Sequence, residues 1–120
     1  MIIVKNKFIP FGTFTAMTIG PFIFTKKDRL SPTTINHEAI HWEQYKELLI
    51  LFFLPLYGLM YLWELLRCLI NPARGTHADG KHRSIWRRAY YSIALEREAY
   101  YHQDTPDYIH TRKHYAWAHL

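Results

Sequence analysis

The spacing of hydrophobic and polar positions changes along the chain. Ile2-Ile3-Val4 and the later run "FTAMTIGPFIFT" (14–25) are rich in β-branched and aromatic residues, with Gly20-Pro21 breaking the second run and Pro10 and Gly12 lying between the two. This pattern predicts short strands joined by turns, as an antiparallel pair or small sheet. "KKDRLSP" (26–32) is a polar loop in which Ser31, or Thr33 beyond it, can cap a helix, and Pro32 suits a first turn. The helix predicted from near Thr34 runs into the strongest apolar segment, "LLILFFLPLYGLMYLWELLRCLI" (48–70), with no charge from Leu48 to Trp63. Pro55 and Gly58 are expected to kink this segment or fold it into a hairpin. A polar loop, "NPARGTHADGKHR" (71–83), follows, and helix resumes around 84–91 and again over 94–102. Thr105-Pro106 signals a last helix taking up much of 106–118. The expected fold is α+β, mainly α: an N-terminal strand pair packed on the first helix, an apolar helix or helical hairpin, and C-terminal helices.

With 120 residues the chain is expected to form one domain, 1–120: strands and loop over 1–30, helix and apolar segment over 33–71, and C-terminal helices over 84–118. The single cysteine, Cys68, allows neither an internal disulfide nor a Cys-rich metal site. Two prolines and two glycines in the uncharged stretch 8–24 argue against a signal peptide. The apolar run 48–70 approaches the roughly 20 residues of a bilayer span. Basic residues lie on both sides of it, among them Lys26, Lys46, Arg67 and Arg74, which suits a re-entrant or interfacial element better than a simple span. The expectation is membrane contact through 48–70 in an otherwise cytoplasmic protein; a buried helix pair in a soluble core is the alternative. Net charge is +5, and "HRSIWRRAYY" mixes arginine with aromatics. No nucleic-acid motif accompanies that run, and lipid headgroup contact explains the same residues, so nucleic-acid binding is not expected.

Chemistry enters with "TINHEAIHWEQ", which holds His37, Glu38 and His41 as H-E-x-x-H. On a helix, residues four apart project from one face, so both imidazoles can reach one ion. Glu38 leans to the neighbouring side, where it can serve as a general base without ligating the metal. Zinc would polarise a carbonyl and activate water. A catalytic zinc site usually takes a third protein ligand. Glu96 and Glu98 in "LEREAY" are the candidates, and two residues apart on a helix they cannot face one ion equally well.

This combination resembles the thermolysin-like gluzincin metallopeptidases, in which H-E-x-x-H is followed by a helix carrying E-x-x-x-D or E-x-x-A-[DN]. The resemblance implies His37 and His41 as zinc ligands, Glu96 as the third ligand and Glu38 as the catalytic base. Tyr100 stands where Asp or Asn is usual and could take an imidazole N–H through its hydroxyl. Across most of its length the chain also resembles a group of small bacterial H-E-x-x-H proteins, through its strand-rich start, "TINHEAIHWEQYKELL", the apolar segment, "AYYSIALEREAY" and "TRKHYAWAHL".

Other residues are weighed beside these. Gln44 and Glu47 follow the motif and could orient the ligands, although ordinary helix polarity explains them as well. His110 and His114 repeat the four-residue spacing, for which a solvated helix face is the simpler explanation. His77 and His82 fall in the glycine-containing loop and receive no role. Tyr100, Tyr101 and His102 are candidates for stabilising an oxyanion. The strand "MTIGPFIF" could align a substrate backbone by strand addition. The functional expectation is zinc-dependent hydrolysis of a peptide or protein substrate at the membrane. The alternative is a non-catalytic, metal-stabilised membrane scaffold.

Overall fold

The computed structural model describes residues 2–7, 14–74 and 84–119. Pro10, Gly12, His77 and His82 lie outside the described residues. Three short strands open the fold: β1 (Ile2–Lys5), β2 (Ala16–Ile19) and β3 (Phe22–Thr25). The sheet order is β1-β3-β2, with β2 antiparallel and β1 parallel to β3. Ile19 pairs with Phe22, so Gly20 and Pro21 form a two-residue hairpin turn. Gly20 sits at φ 58°, the left-handed backbone that such a turn needs at its first central position. The expected strand pair is thus a three-stranded sheet, because Ile2-Ile3-Val4 adds along the far edge of β3.

Helix α1 (Pro32–Glu47) is capped by Ser31, whose Oγ accepts the Thr34 N–H at 3.1 Å, and Pro32 fills the first turn, where no backbone hydrogen is needed. Its inner face is polar: His37, Glu38, His41 and Gln44 are buried with Ile40 and Tyr45. Such a face is stable only if other elements supply partners. Those elements are the strand β2 and α4 (Ala94–His102), against both of which α1 packs; α3 (Ile85–Ser92) precedes α4. Asn36 fastens the far end of α4, donating its side-chain N–H to the carbonyls of His102, Gln103 and Thr105.

The break in the apolar run falls before Pro55. The chain turns at residues 48–52, with Leu49 and Ile50 at φ 55° and 64°. Positive φ costs a non-glycine residue about 1–2 kcal/mol. Ile50 N–H to Tyr45 O at 2.7 Å and Phe52 N–H to Leu48 O at 3.2 Å hold the turn. Helix α2 (Phe53–Ile70) then runs unbroken. Pro55 lies in its first turn, where the missing N–H costs no hydrogen bond, and neither it nor Gly58 interrupts the helix. The hairpin is therefore α1–turn–α2, and both halves lean on a core of Tyr45, Phe53, Ile93 and Leu95. The Tyr45 and Phe53 rings stack at 3.8 Å. One stripe of α2, with Phe53, Glu64 and Cys68 buried, packs on α3.

The C-terminal stretch is less helical than expected. Only α5 (Tyr108–Thr111) and a 3₁₀ turn at Ala116–His119 form. Arg112 leaves helical geometry at φ −66°, ψ 147°, and its guanidinium reaches two buried carboxylates.

Candidate metal centre

His37 and His41 lie one turn apart on α1 with both Nε2 atoms aimed at one carboxylate oxygen. Glu96 Oε1 is 3.2 Å from His37 Nε2 and 3.1 Å from His41 Nε2. One donor atom from each residue fits within a 4.8 Å span, and all three residues are buried. Glu96 comes from the first turn of α4, 55 residues beyond His41.

The opposite edge of each imidazole is held. Gln103 Oε1 lies 2.8 Å from His37 Nδ1, and Gln44 Oε1 lies 2.8 Å from His41 Nδ1. An amide oxygen only accepts, so each Nδ1 carries hydrogen and a neutral ring presents its lone pair at Nε2. The orientation of Gln44 is fixed because its Nε2 donates to Leu95 O and Glu98 Oε1, each at 2.9 Å. Tyr57 on α2 donates to Glu96 Oε2 at 2.7 Å, which leaves Oε1 facing the histidines. Two imidazole nitrogens and one carboxylate oxygen, each fixed from behind, form a donor set suited to a divalent metal ion such as zinc.

Electrostatics agree with that fit. Burial disfavours charge on Glu96, yet His41 and the hydrogen bonds from both histidines hold its carboxyl well below the usual range. Burial likewise opposes charge on His41, but the Glu96 carboxylate, helped by Glu38 and Gln44, raises its pKa to about 9. The centre thus stabilises positive charge beside Oε1, as a proton or as a metal cation.

Glu38 lies next to this group. Its Oε2 accepts the Thr18 hydroxyl of β2, and among the described residues its Oε1 takes no hydrogen bond. Glu38, His41 and Glu96 line a cavity of about 590 Å³, whose walls are mostly apolar side chains of β2, α2 and α3. Among the described residues strand β2 pairs only with β3, and all four of its residues line the cavity.

Glu96, not Glu98, is the carboxylate beside the histidines, and several of the other residues weighed in the sequence lie elsewhere. Tyr100 does not take an imidazole N–H: its ring meets His37 edge-on at 4.4 Å and its hydroxyl bonds Tyr90 at 2.9 Å. Gln103, two turns past Glu96, does that work. Glu98 points away from the ion site and is fully buried, accepting from Arg112, Tyr108 and Gln44. Of the oxyanion candidates, Tyr100, Tyr101 and His102 do not line the cavity; Tyr57, Tyr61 and Tyr90 do. His110 and His114 share no helix, since α5 ends at Thr111, and both are exposed. Gln44 holds His41 in place, whereas Glu47 binds Arg112 and the Tyr115 N–H, remote from the ion site. No protein-family model, curated protein or solved structure matches the chain.

Proposed function

We propose that the protein is a zinc-dependent peptidase, with His37, His41 and Glu96 as ligands and Glu38 as general base. The observation that carries this reading is the convergence of two backed imidazoles and one backed carboxylate, with His41, Glu96 and a second carboxylate, Glu38, lining one cavity. Zinc bound there would supply the Lewis acid that polarises a peptide carbonyl and activates water. Glu38 then does the proton work: Thr18 anchors Oε2, and Oε1 takes a proton from water and delivers it to the leaving amine. Strand β2 aligns an extended substrate backbone along the same cavity, by strand pairing.

The test is Glu38→Gln. This change keeps size and the Thr18 contact but removes the base, so it should abolish hydrolysis of unstructured peptides while zinc stays bound. Unchanged hydrolysis with zinc retained would overturn the mechanism. A purely structural ion is the competing reading. It predicts that chelation lowers the melting temperature sharply while no peptide is cleaved under any condition.

A further inference from the structure

One face of α2 has no partner. Outward positions Leu54, Leu59, Leu62, Trp63, Leu66 and Leu69 are all exposed, Leu62 at 63% and Leu69 at 69%. At 100° per residue these positions, with Pro55, Gly58 and Ile70, sweep about half the helix circumference without one polar side chain. The turn before the helix continues the surface: Leu49 to Phe52 are four successive exposed apolar residues, with Leu51 at 78%. Contiguous apolar surface of this extent marks an interaction site.

We infer that this face is a docking surface for an anionic lipid bilayer, with α2 lying in the plane of the headgroups. The breadth of the face argues against a second copy, since a two-helix seam uses only a narrow stripe of heptad positions. Charge points the same way. The one carboxylate on α2, Glu64, is buried between two arginines, Arg67 and Arg74, so this cluster keeps a net positive charge, and the Arg67 side chain is 44% exposed. Exposed Trp63 lies at one rim, where an amphipathic ring prefers the interface. A transmembrane arrangement is disfavoured because the opposite stripe of α2 packs on α3, which carries Arg87 and Arg88. Spanning would take that polar body into hydrocarbon; lying flat immerses only the bare half.

The other rim leads to the metal centre. Leu54 belongs both to the bare face and to the cavity lining, and the exposed Trp86 lines the cavity from α3. The mouth therefore opens at the lipid surface. Resting on the peptidase reading, the substrate class follows: an apolar peptide stretch lying at the bilayer surface.

The test uses the full chain and vesicles of phosphatidylcholine, with or without about one third phosphatidylglycerol. Co-sedimentation should be strong with the anionic vesicles, weaker with the neutral ones, and about 100-fold lower for Leu59→Asp/Leu62→Asp, both on the exposed face. Lipid addition should shift the tryptophan emission to the blue, and Trp63→Phe should remove part of that shift. Equal partition of the double variant and wild type would overturn the inference. So would a lipid-indifferent dimer that the double substitution splits, which would give the face to a second copy. Glu38→Gln should bind vesicles normally, so loss of the peptidase reading leaves the docking result standing. A cleavable peptide carrying an acyl anchor should be cut at least about tenfold faster on vesicles than the same peptide in solution. Equal rates would overturn the route from the lipid surface.

Discussion

Arg112→Ala probes the buried network behind the metal centre. The Arg112 side chain is 4% exposed and donates from Nε to Glu98 Oε2 at 2.7 Å, and from a terminal nitrogen to Glu98 Oε1 at 2.9 Å and Glu47 Oε1 at 3.1 Å. Glu98 is 0% exposed, so removing the guanidinium strands two carboxylates in the interior. Breaking a buried pair from one side costs about 3–5 kcal/mol. For a domain of this size that lowers the melting temperature by about 10–20 °C. Burial favours protonated Glu98, but Arg112, Gln44 and Tyr108 hold its pKa below the usual 4.5. A depressed carboxylate contributes stability above its unfolded pKa and loses it as pH falls through the lower folded value. The variant's deficit should therefore be large at pH 7 and shrink in acid, where a protonated Glu98 no longer needs a cation. Thermal melts followed by circular dichroism at both pH values measure this. A shift below about 3 °C at pH 7, or an equal deficit in acid, would refute the reasoning.

Three further outcomes follow from the centre itself. Gln44→Leu removes the acceptor for His41 Nδ1 and should weaken zinc binding about 10–100-fold; a chelator competition reads this directly. Tyr57→Phe removes a charge-assisted hydrogen bond to Glu96 worth about 1.5–3 kcal/mol, so the same competition should show roughly tenfold or greater weakening, against none if Tyr57 is only a wall residue. With the His41 pKa raised to about 9, zinc must displace a proton at neutral pH, so affinity should rise about tenfold per pH unit up to that value; pH-independent affinity between about 6.5 and 8.5 would contradict it.

Much of this architecture is legible in local sequence. Ser31-Pro32 marks the start of α1, Gly20-Pro21 marks the hairpin, Ser84 caps α3 by accepting the Arg87 N–H at 3.3 Å, and the four-residue spacing of His37 and His41 sets them on one face. What escapes is set by tertiary contacts. The break at 48–52 carries no glycine or proline; it is defined by backbone hydrogen bonds at positive φ, ahead of the Pro55 and Gly58 that mark a kink or hairpin in the sequence. The choice between Glu96 and Glu98 depends on which face of α4 meets α1, and Arg112 decides it by neutralising Glu98 from the other side. Gln103 and Tyr57 carry no motif. A glutamine two turns past Glu96 is the one trace available for Gln103, while Tyr57 hides in an apolar helix. The last helix is cut short because Arg112 must turn inward.

Metal analysis of the purified chain, with its histidine and glutamate variants, bears most directly on the proposed ligand set. Wild type, Glu38→Gln and Glu98→Gln should each carry about one zinc per chain, bound by two imidazole nitrogens and a carboxylate oxygen in X-ray absorption. His41→Ala and Glu96→Ala should lose it. Zinc retained in Glu96→Ala, or absent from the wild type after zinc loading, would contradict the assignment.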